Sequence, residues 1–298
     1  MNSWRSPLRY PGGKLKLAPL IEQLISNNKE IINYVEPFAG GAGIGIYLLL
    51  NKKVEHITLN DFDIAIYSFW TTVTSYNAAF LDLFDAIPVT VPEWKSQKEI
   101  FSDLERKSKL TPSEIIQLGF STFFLNRTNF SGILRGATPV GGMNQNGKWK
   151  IDYEFNKDRL RPLIAEIGKY ADRISVTNLN MVTSMKKLSL MSDEYTVNET
   201  LMFIDPPYVK QGKRLYLPIK SMEEHASISK QVSELKPHWV LTYDAVQELM
   251  DLYNFSKNRY LYTLQYRVKT HRKGTEFLAS SDGLNLGEAP KIHILEKL

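Results

Sequence analysis

Apolar residues along the chain recur with two different periods, and the change from one to the other outlines an architecture. In LAPLIEQLISNN (17–28) they return every three or four positions, the spacing of one helical face. NYVEPF (33–38) is a short buried strand that runs into glycines, GIGIYLLLNK (43–52) an apolar helix, and VEHITLN (54–60) a second strand. A strand, helix, strand unit of this length makes the two strands parallel neighbours. That is how a doubly wound α/β fold begins.

The period then stays helical from residue 62 to about 125. In TPSEIIQLGFSTFFLN (111–126), Thr111 caps the helix, Pro112 fits its first turn and Glu114 completes a capping box. Residues 126–160 are loop-rich, glycine-rich and basic. Strand patterns return in RISVTN (173–178), TLMFID (200–205), HWVLTY (238–243) and RYLYTLQYRVK (259–269), with a helix, HASISKQVSELK (225–236), before the third. TEFLAS (275–280) and KIHILEK (291–297) compete for the last strand. The simplest division is one α/β domain, residues 1–66 with 163–298, interrupted by a mostly helical module at 67–162.

Composition narrows the chemistry. With 43% hydrophobic and 23% charged residues among 298, the chain has the make-up of an ordinary globular protein. No apolar run approaches the roughly 20 residues that span a bilayer, and MNSWRSPLRY lacks the apolar core of a signal peptide, so a cytoplasmic protein is expected. There is no cysteine, which excludes disulfides, thiolate metal sites and a thiol nucleophile. The five histidines, at 56, 225, 238, 271 and 293, show no ligand-like pairing, and no metal is expected.

Net charge is +5, but it is unevenly placed. Residues 126–162 carry seven Lys or Arg against three acids, and residues 257–273 carry six with no acid. Phe130, Trp149, Tyr153 and Phe155 lie within the first stretch. Cations interleaved with aromatics suit a polyanion that also offers bases to stack on; the competing reading is a solvated basic face.

Three short segments carry candidate chemistry. In EPFAGGAG (36–43), small residues after a strand and before a helix let a ligand approach the backbone and the free N–H groups of the helix start. The loop does not end in Gly-Lys-Ser/Thr, which argues against a nucleoside triphosphatase. Asp61 ends the second strand 21 residues after Gly40, where doubly wound folds hold ribose hydroxyls; the alternative is that it caps the next helix, and Asp63 is a nearby competitor. A ribose acid without a phosphate lysine fits NAD or S-adenosylmethionine. RYPGGK (9–14) adds Tyr10 for an apolar or adenine face and Lys14 for a carboxylate, unless it is a simple turn. In IDPPY (204–208), Asp205 emerges at the carboxyl edge of the sheet and two prolines remove backbone donors beside it. Acceptors without adjacent donors suit an NH₂ group, with Tyr208 stacking on the base that carries it.

SPLRYPGGK, EPFAGGAG, LNDFD, FFLNRTNFSGILR and IDPPY occur in the order found in the α-class, Dam-like N6-adenine DNA methyltransferases, and the sequence resembles that family over most of its length. The resemblance implies a Rossmann-like methyltransferase sheet with an inserted target-recognition module and S-adenosylmethionine as cofactor. It implies that Tyr10, Lys14, Phe38, Gly40, Asp61 and Asp205 line the cofactor pocket and that Asp205, Pro206 and Tyr208 hold the target adenine. Double-stranded DNA is the implied partner, with Asn126 and Arg127 supporting the DNA-facing loop, Phe130 wedging into the base stack and Arg135 reading a guanine. A prokaryotic, phage or mobile-element setting and a role in restriction–modification go with the family; no obligate protein partner is expected. Phe130-Ser131 departs from the Tyr-Asn of the Dam pattern, so GATC recognition is not carried over. N4-cytosine methylation uses the same amine logic, and a non-catalytic DNA-binding regulator could share the fold. C5 methylation by the usual route is excluded, because it needs a thiolate.

Overall fold

The computed structural model describes residues 6–9, 13–180, 183–184, 197–207, 221–264, 274–287 and 292–298. The strands are β1 (Asn33–Glu36), β2 (His56–Asn60), β3 (Ile174–Thr177), β4 (Thr200–Ile204), β5 (His238–Asp244), β6 (Asn258–Leu264), β7 (Gly274–Ser280) and β8 (His293–Lys297). They form one sheet in the order β3-β2-β1-β4-β5-β7-β6-β8. From β3 to β5 every pairing is parallel, while β7 enters antiparallel between β5 and β6, and β8 is antiparallel on β6. Both candidates for the last strand are therefore strands: TEFLAS is the inner β7 and KIHILEK the outer β8.

The helices are α1 (Ala18–Asn27), α2 (Gly43–Leu50), α3 (Ile64–Ser75), α4 (Asn77–Ala86), α5 (Val91–Leu104), α6 (Pro112–Thr128), α7 (Lys157–Gly168), α8 (Met222–Ser233) and α9 (Gln247–Asp251). Alternation along the strands sends successive side chains to opposite faces. Tyr34, Leu201, Phe203, Val240 and Leu278 join one apolar cluster with α1, α2 and the α3–α7 helices. Val35, Met202, Ile204, Leu241 and Phe277 join a second with α8 and α9. Both faces are covered, as a parallel sheet requires.

The first cluster runs without a break from the sheet into the helices between β2 and β3. At its centre Phe123 of α6 lies 5.3 Å from Phe80, 6.0 Å from Phe69, 5.8 Å from Phe84 and 5.4 Å from Phe155, measured between ring centres. Phe155, an expected stacking residue, is thus a core residue at 4% exposure. Gly119 lets α6 lie directly on α3, since a Cβ there would stand 2.5 Å from the Ser68 carbonyl oxygen. The capping box of α6 forms as expected, with Thr111 and Glu114 each bonding the other's N–H. The expected division points at 66/67 and 162/163 fall inside α3 and α7, the helices that carry the chain out of the sheet layer and back. Residues 265–273, which hold Arg267, Lys269, Arg272 and Lys273, lie outside the described residues.

Candidate active site at the carboxyl edge of the sheet

The loop after β1 is shaped by two left-handed residues, Gly40 at φ 45° and Ala42 at φ 44°, the second directly before α2. Gly40 is placed from both sides. Its N–H donates to Asp61 Oδ2 at 2.8 Å, and its carbonyl accepts the Trp70 indole N–H at 2.9 Å. Phe38 in the same loop is half-buried and packs on the second apolar cluster. Beneath the loop, Glu36 accepts the Gly45 N–H in the first turn of α2 at 2.9 Å.

Asp61 follows β2 and accepts a second N–H, from Asp63, at 2.9 Å. Capping of α3 falls to Asp63, whose Oδ1 takes the Ala65 N–H at 3.0 Å, so the alternative role for Asp61 is filled by its neighbour. Burial first, then the Asp63 charge, pushes the Asp61 carboxyl up to about 7 against those two N–H bonds and Arg135. Asn60, which sequence reasoning passed over, ties three strand ends together. Its amide donates to the Pro37 and Leu179 carbonyls at 3.0 and 3.2 Å, and its Oδ1 accepts from Thr177 Oγ1 and Leu179 N. The signal was a buried-strand sequence that ends on an amide side chain directly before Asp61.

Asp205 follows β4, and four strands with the N-terminal segment converge around it. Thr242 of β5 donates to Asp205 Oδ1 at 2.8 Å, and Lys14 Nζ lies 3.6 Å from the same oxygen. Lys14 Nζ is also 3.5 Å from Glu276 Oε2 of β7, which accepts the Tyr262 hydroxyl of β6 at 2.7 Å. Lys14, expected to meet a ligand's carboxylate, therefore already stands between two protein carboxylates at 7% exposure. Thr242, Tyr262 and Glu276 carried no sequence signal, because they lie on strands far from IDPPY and meet it only through the sheet order. Pro206 is buried beside Asp205; Tyr10 and Tyr208 lie outside the described residues.

Glu36 is a further buried acid of this edge, in addition to Asp63 and Glu276. Burial pushes its carboxyl up to about 8, opposed by the Gly45 and Tyr34 hydrogen bonds and reinforced by the charge of Asp205. A folded-state value above the unfolded one means that the native chain holds a proton which the unfolded chain has released. Stability therefore falls as pH rises from about 4.5 to about 8. Glu36→Gln is expected to flatten that decline, read as melting temperature across the same range; an undiminished slope in the variant would rule out Glu36 as its source.

The residues expected at DNA occupy two kinds of position. Asn126 and Arg127 are 1% and 2% exposed. Asn126 Oδ1 accepts the Arg9 N–H at 2.7 Å, and its amide donates to the Arg9 and Gly132 carbonyls, each at 2.9 Å. Arg127 donates Nε to the Pro7 carbonyl at 2.7 Å, and Nη2 to the same oxygen. These two buried side chains pin the N-terminal segment to the end of α6 and the loop after it. Arg135 is held within the protein by two acids: its guanidinium takes Asp63 through two bonds, at 2.7 and 3.0 Å, and Glu105 at 2.8 Å. Phe130 is 66% exposed, next to Ser131 at φ 57°.

The strand order turns back at β1, so the crevice between β1 and β4 is the switch point where open α/β sheets bind ligands. The glycine loop and Asp205 flank it, which is the arrangement of an α/β enzyme with its site at the carboxyl edge. Residues 10–273 match the family described as D12 class N6 adenine-specific DNA methyltransferase, and the chain belongs to that family. It is an adenine-specific DNA methyltransferase, with DNA as its substrate. Among its relatives is the type II methyltransferase M.MjaIII of Methanocaldococcus jannaschii, 23% identical over 219 residues that cover 69% of this chain and 70% of that protein. Among solved structures, the rRNA methyltransferase aviRa of Streptomyces viridochromogenes aligns with 90% of this chain and 84% of its own, at 12% identity and a TM-score of 0.37. Among the described residues no helix is long and apolar enough to cross a membrane, and no group of three or more metal-binding side chains is placed to hold a metal ion.

Proposed function

We propose that the enzyme methylates adenine N6 at a specific site in double-stranded DNA, using S-adenosylmethionine and acting on an adenine swung out of the duplex. The carrying observation is the setting of Asp205: oriented by Thr242, charge-balanced by Lys14, and followed by two prolines at the switch point of the sheet. An adenine amino group is a poor nucleophile because its lone pair is delocalised into the ring. It does have two N–H donors. Asp205 and the Pro206 carbonyl offer acceptors with no Pro206 or Pro207 N–H to compete for them, and bonds to both draw the nitrogen toward tetrahedral geometry. Holding the amine in line with the methyl donor then supplies much of the rate.

The residues on the same edge fit the cofactor by their chemistry. Asp61 offers a carboxylate to two vicinal hydroxyls, the left-handed loop at Gly40 admits a ligand close to the backbone, Phe38 offers an apolar face, and Lys14 is a cation for a carboxylate. When bound, S-adenosylmethionine supplies an electrophilic methyl group on a sulfonium. Extrusion of the base costs a few kcal/mol of unstacking. Phe130, exposed on the segment after α6, supports a wedge that fills the gap, and the helices between β2 and β3 with that segment form the recognition portion.

Incubation with duplex DNA and methyl-labelled cofactor, followed by digestion to nucleosides, is expected to yield N6-methyladenine, and modification-sensitive sequencing to place it in one short sequence. Label recovered as N4-methylcytosine, or spread over adenines without sequence preference, would overturn the reading.

A further inference from the structure

Asp63 stands where the recognition portion meets the cofactor edge. Its two carboxylate oxygens receive Arg135, Nη1 to Oδ2 at 2.7 Å and Nη2 to Oδ1 at 3.0 Å. The third guanidinium bond, from Nε, goes to Glu105 at the end of α5 at 2.8 Å, and the group lies 5.5 Å from the centre of the Phe101 ring. Asp63 passes the connection on. Its own N–H bonds Asp61 Oδ1, and the other Asp61 oxygen holds Gly40. An unbroken line of hydrogen bonds thus runs from the segment after α6 to the glycine loop.

We propose that Arg135 is a positioning residue of the cofactor site, clamping Asp63 so that the turn presents Asp61 to the ribose, and that it thereby ties cofactor affinity to the recognition portion. The inference rests on Asp61 as the ribose acid. A paired, two-point grip suits this work better than a lone surface charge does, because the planar fork fixes orientation as well as distance. The Asp63 side chain is 11% exposed and that of Arg135 37%, so the grip is partly shielded from water.

Among the described residues the charged groups facing Asp61 are Asp63 on its own turn and Arg135 from the segment after α6, with Glu105 of α5 behind Arg135. The loop after β1 brings the Gly40 N–H to the carboxylate, and the loop after β3 brings the Asn178 side-chain amide to the Asp61 main-chain carbonyl; neither titrates. A carboxylate accepts two ribose hydroxyls where a neutral carboxyl competes with its own O–H. Affinity for the cofactor should then rise with pH through the Asp61 midpoint. Arg135→Gln removes the facing cation and leaves Asp63 uncompensated, which moves the midpoint up. Asp63→Asn removes the like charge and keeps a good helix cap, which moves it down.

Calorimetric titration of the full chain with S-adenosylmethionine and S-adenosylhomocysteine, without DNA, between about pH 5.5 and 9 tests this. Arg135→Gln is expected to weaken binding about 5-fold near neutrality and about 10-fold near pH 5.5, a one-unit upward shift, and Asp63→Asn to move the midpoint the opposite way. Arg135→Lys, which keeps the charge, should fall between Arg135→Gln and the parent and guards against a folding defect. A structural role alone would weaken binding in both variants without moving their midpoints apart. That outcome, or unchanged midpoints in variants that melt normally, overturns the proposal. Asp61→Asn separates the two readings: weak, pH-independent binding upholds Asp61 as the ribose acid, and parental binding removes that assignment together with the role of Arg135.

Discussion

Asp205→Ala is expected to bind cofactor and to methylate DNA at least about 100-fold more slowly, the scale of losing one preorganised electrostatic partner of the reacting group. The side chain is the one acid that both emerges from β4 at the switch point and is aimed by a neighbouring strand, through Thr242 Oγ1. Its removal should spare the fold. Lys14 retains Glu276 at 3.5 Å, so the substitution does not bury an uncompensated cation. Single-turnover transfer of labelled methyl, measured beside cofactor affinity on the same preparation, separates the effects. A turnover rate near that of the parent would show that Asp205 does not polarise the amine.

Phe123→Ala is expected to be the most damaging of these substitutions to stability, at about 3–5 kcal/mol. Phe123 is fully buried and ringed by Phe69, Phe80, Phe84, Phe120 and Phe155, residues of α3, α4 and the segment before α7 as well as its own helix. The helices around it are held by Phe–Phe packing and by the direct seating of Gly119 on α3, so the gap cannot close by a small shift of one side chain. Urea unfolding should show a lower midpoint with little change in slope, whereas Phe130→Ala, on an exposed side chain, should leave the midpoint in place. Equal midpoints for parent and Phe123→Ala would mean that the aromatic cluster is not what holds the helices together.

What the amino-acid order disclosed, and what it withheld, follows from the range of the forces involved. Local patterns were legible: the strand-glycine-helix passage around Gly40, the capping box of α6 and the strand that delivers Asp205 each depend on residues close in sequence. Pairing was less so. Either TEFLAS or KIHILEK could end the sheet by pattern, and only the antiparallel entry of β7 between β5 and β6 shows that both belong to it. The basic stretch was legible as charge and only in part as surface: Phe130, Trp149 and Tyr153 are exposed, but Phe155 is in the core, and Arg127 and Arg135 spend their donors on the protein's own carbonyls and carboxylates. Glu36 lies inside EPFAGGAG with no pattern to single it out; its elevated carboxyl arises from burial, which no spacing reveals.

The central strand has neighbours of very different age in synthesis. Asn33 of β1 pairs with His56 on one side and with Thr200 on the other. A growing chain can close the first ladder almost at once, because its two strands are near neighbours in sequence, and the phenylalanine-lined helices are made next. The opposite rim of β1 must wait until that whole helical stretch and β3 have been made. For that interval it presents unpaired backbone that could capture another chain. The long detour between β2 and β4 thus makes the nascent enzyme depend on how soon β4 arrives, a kinetic vulnerability that the finished sheet conceals.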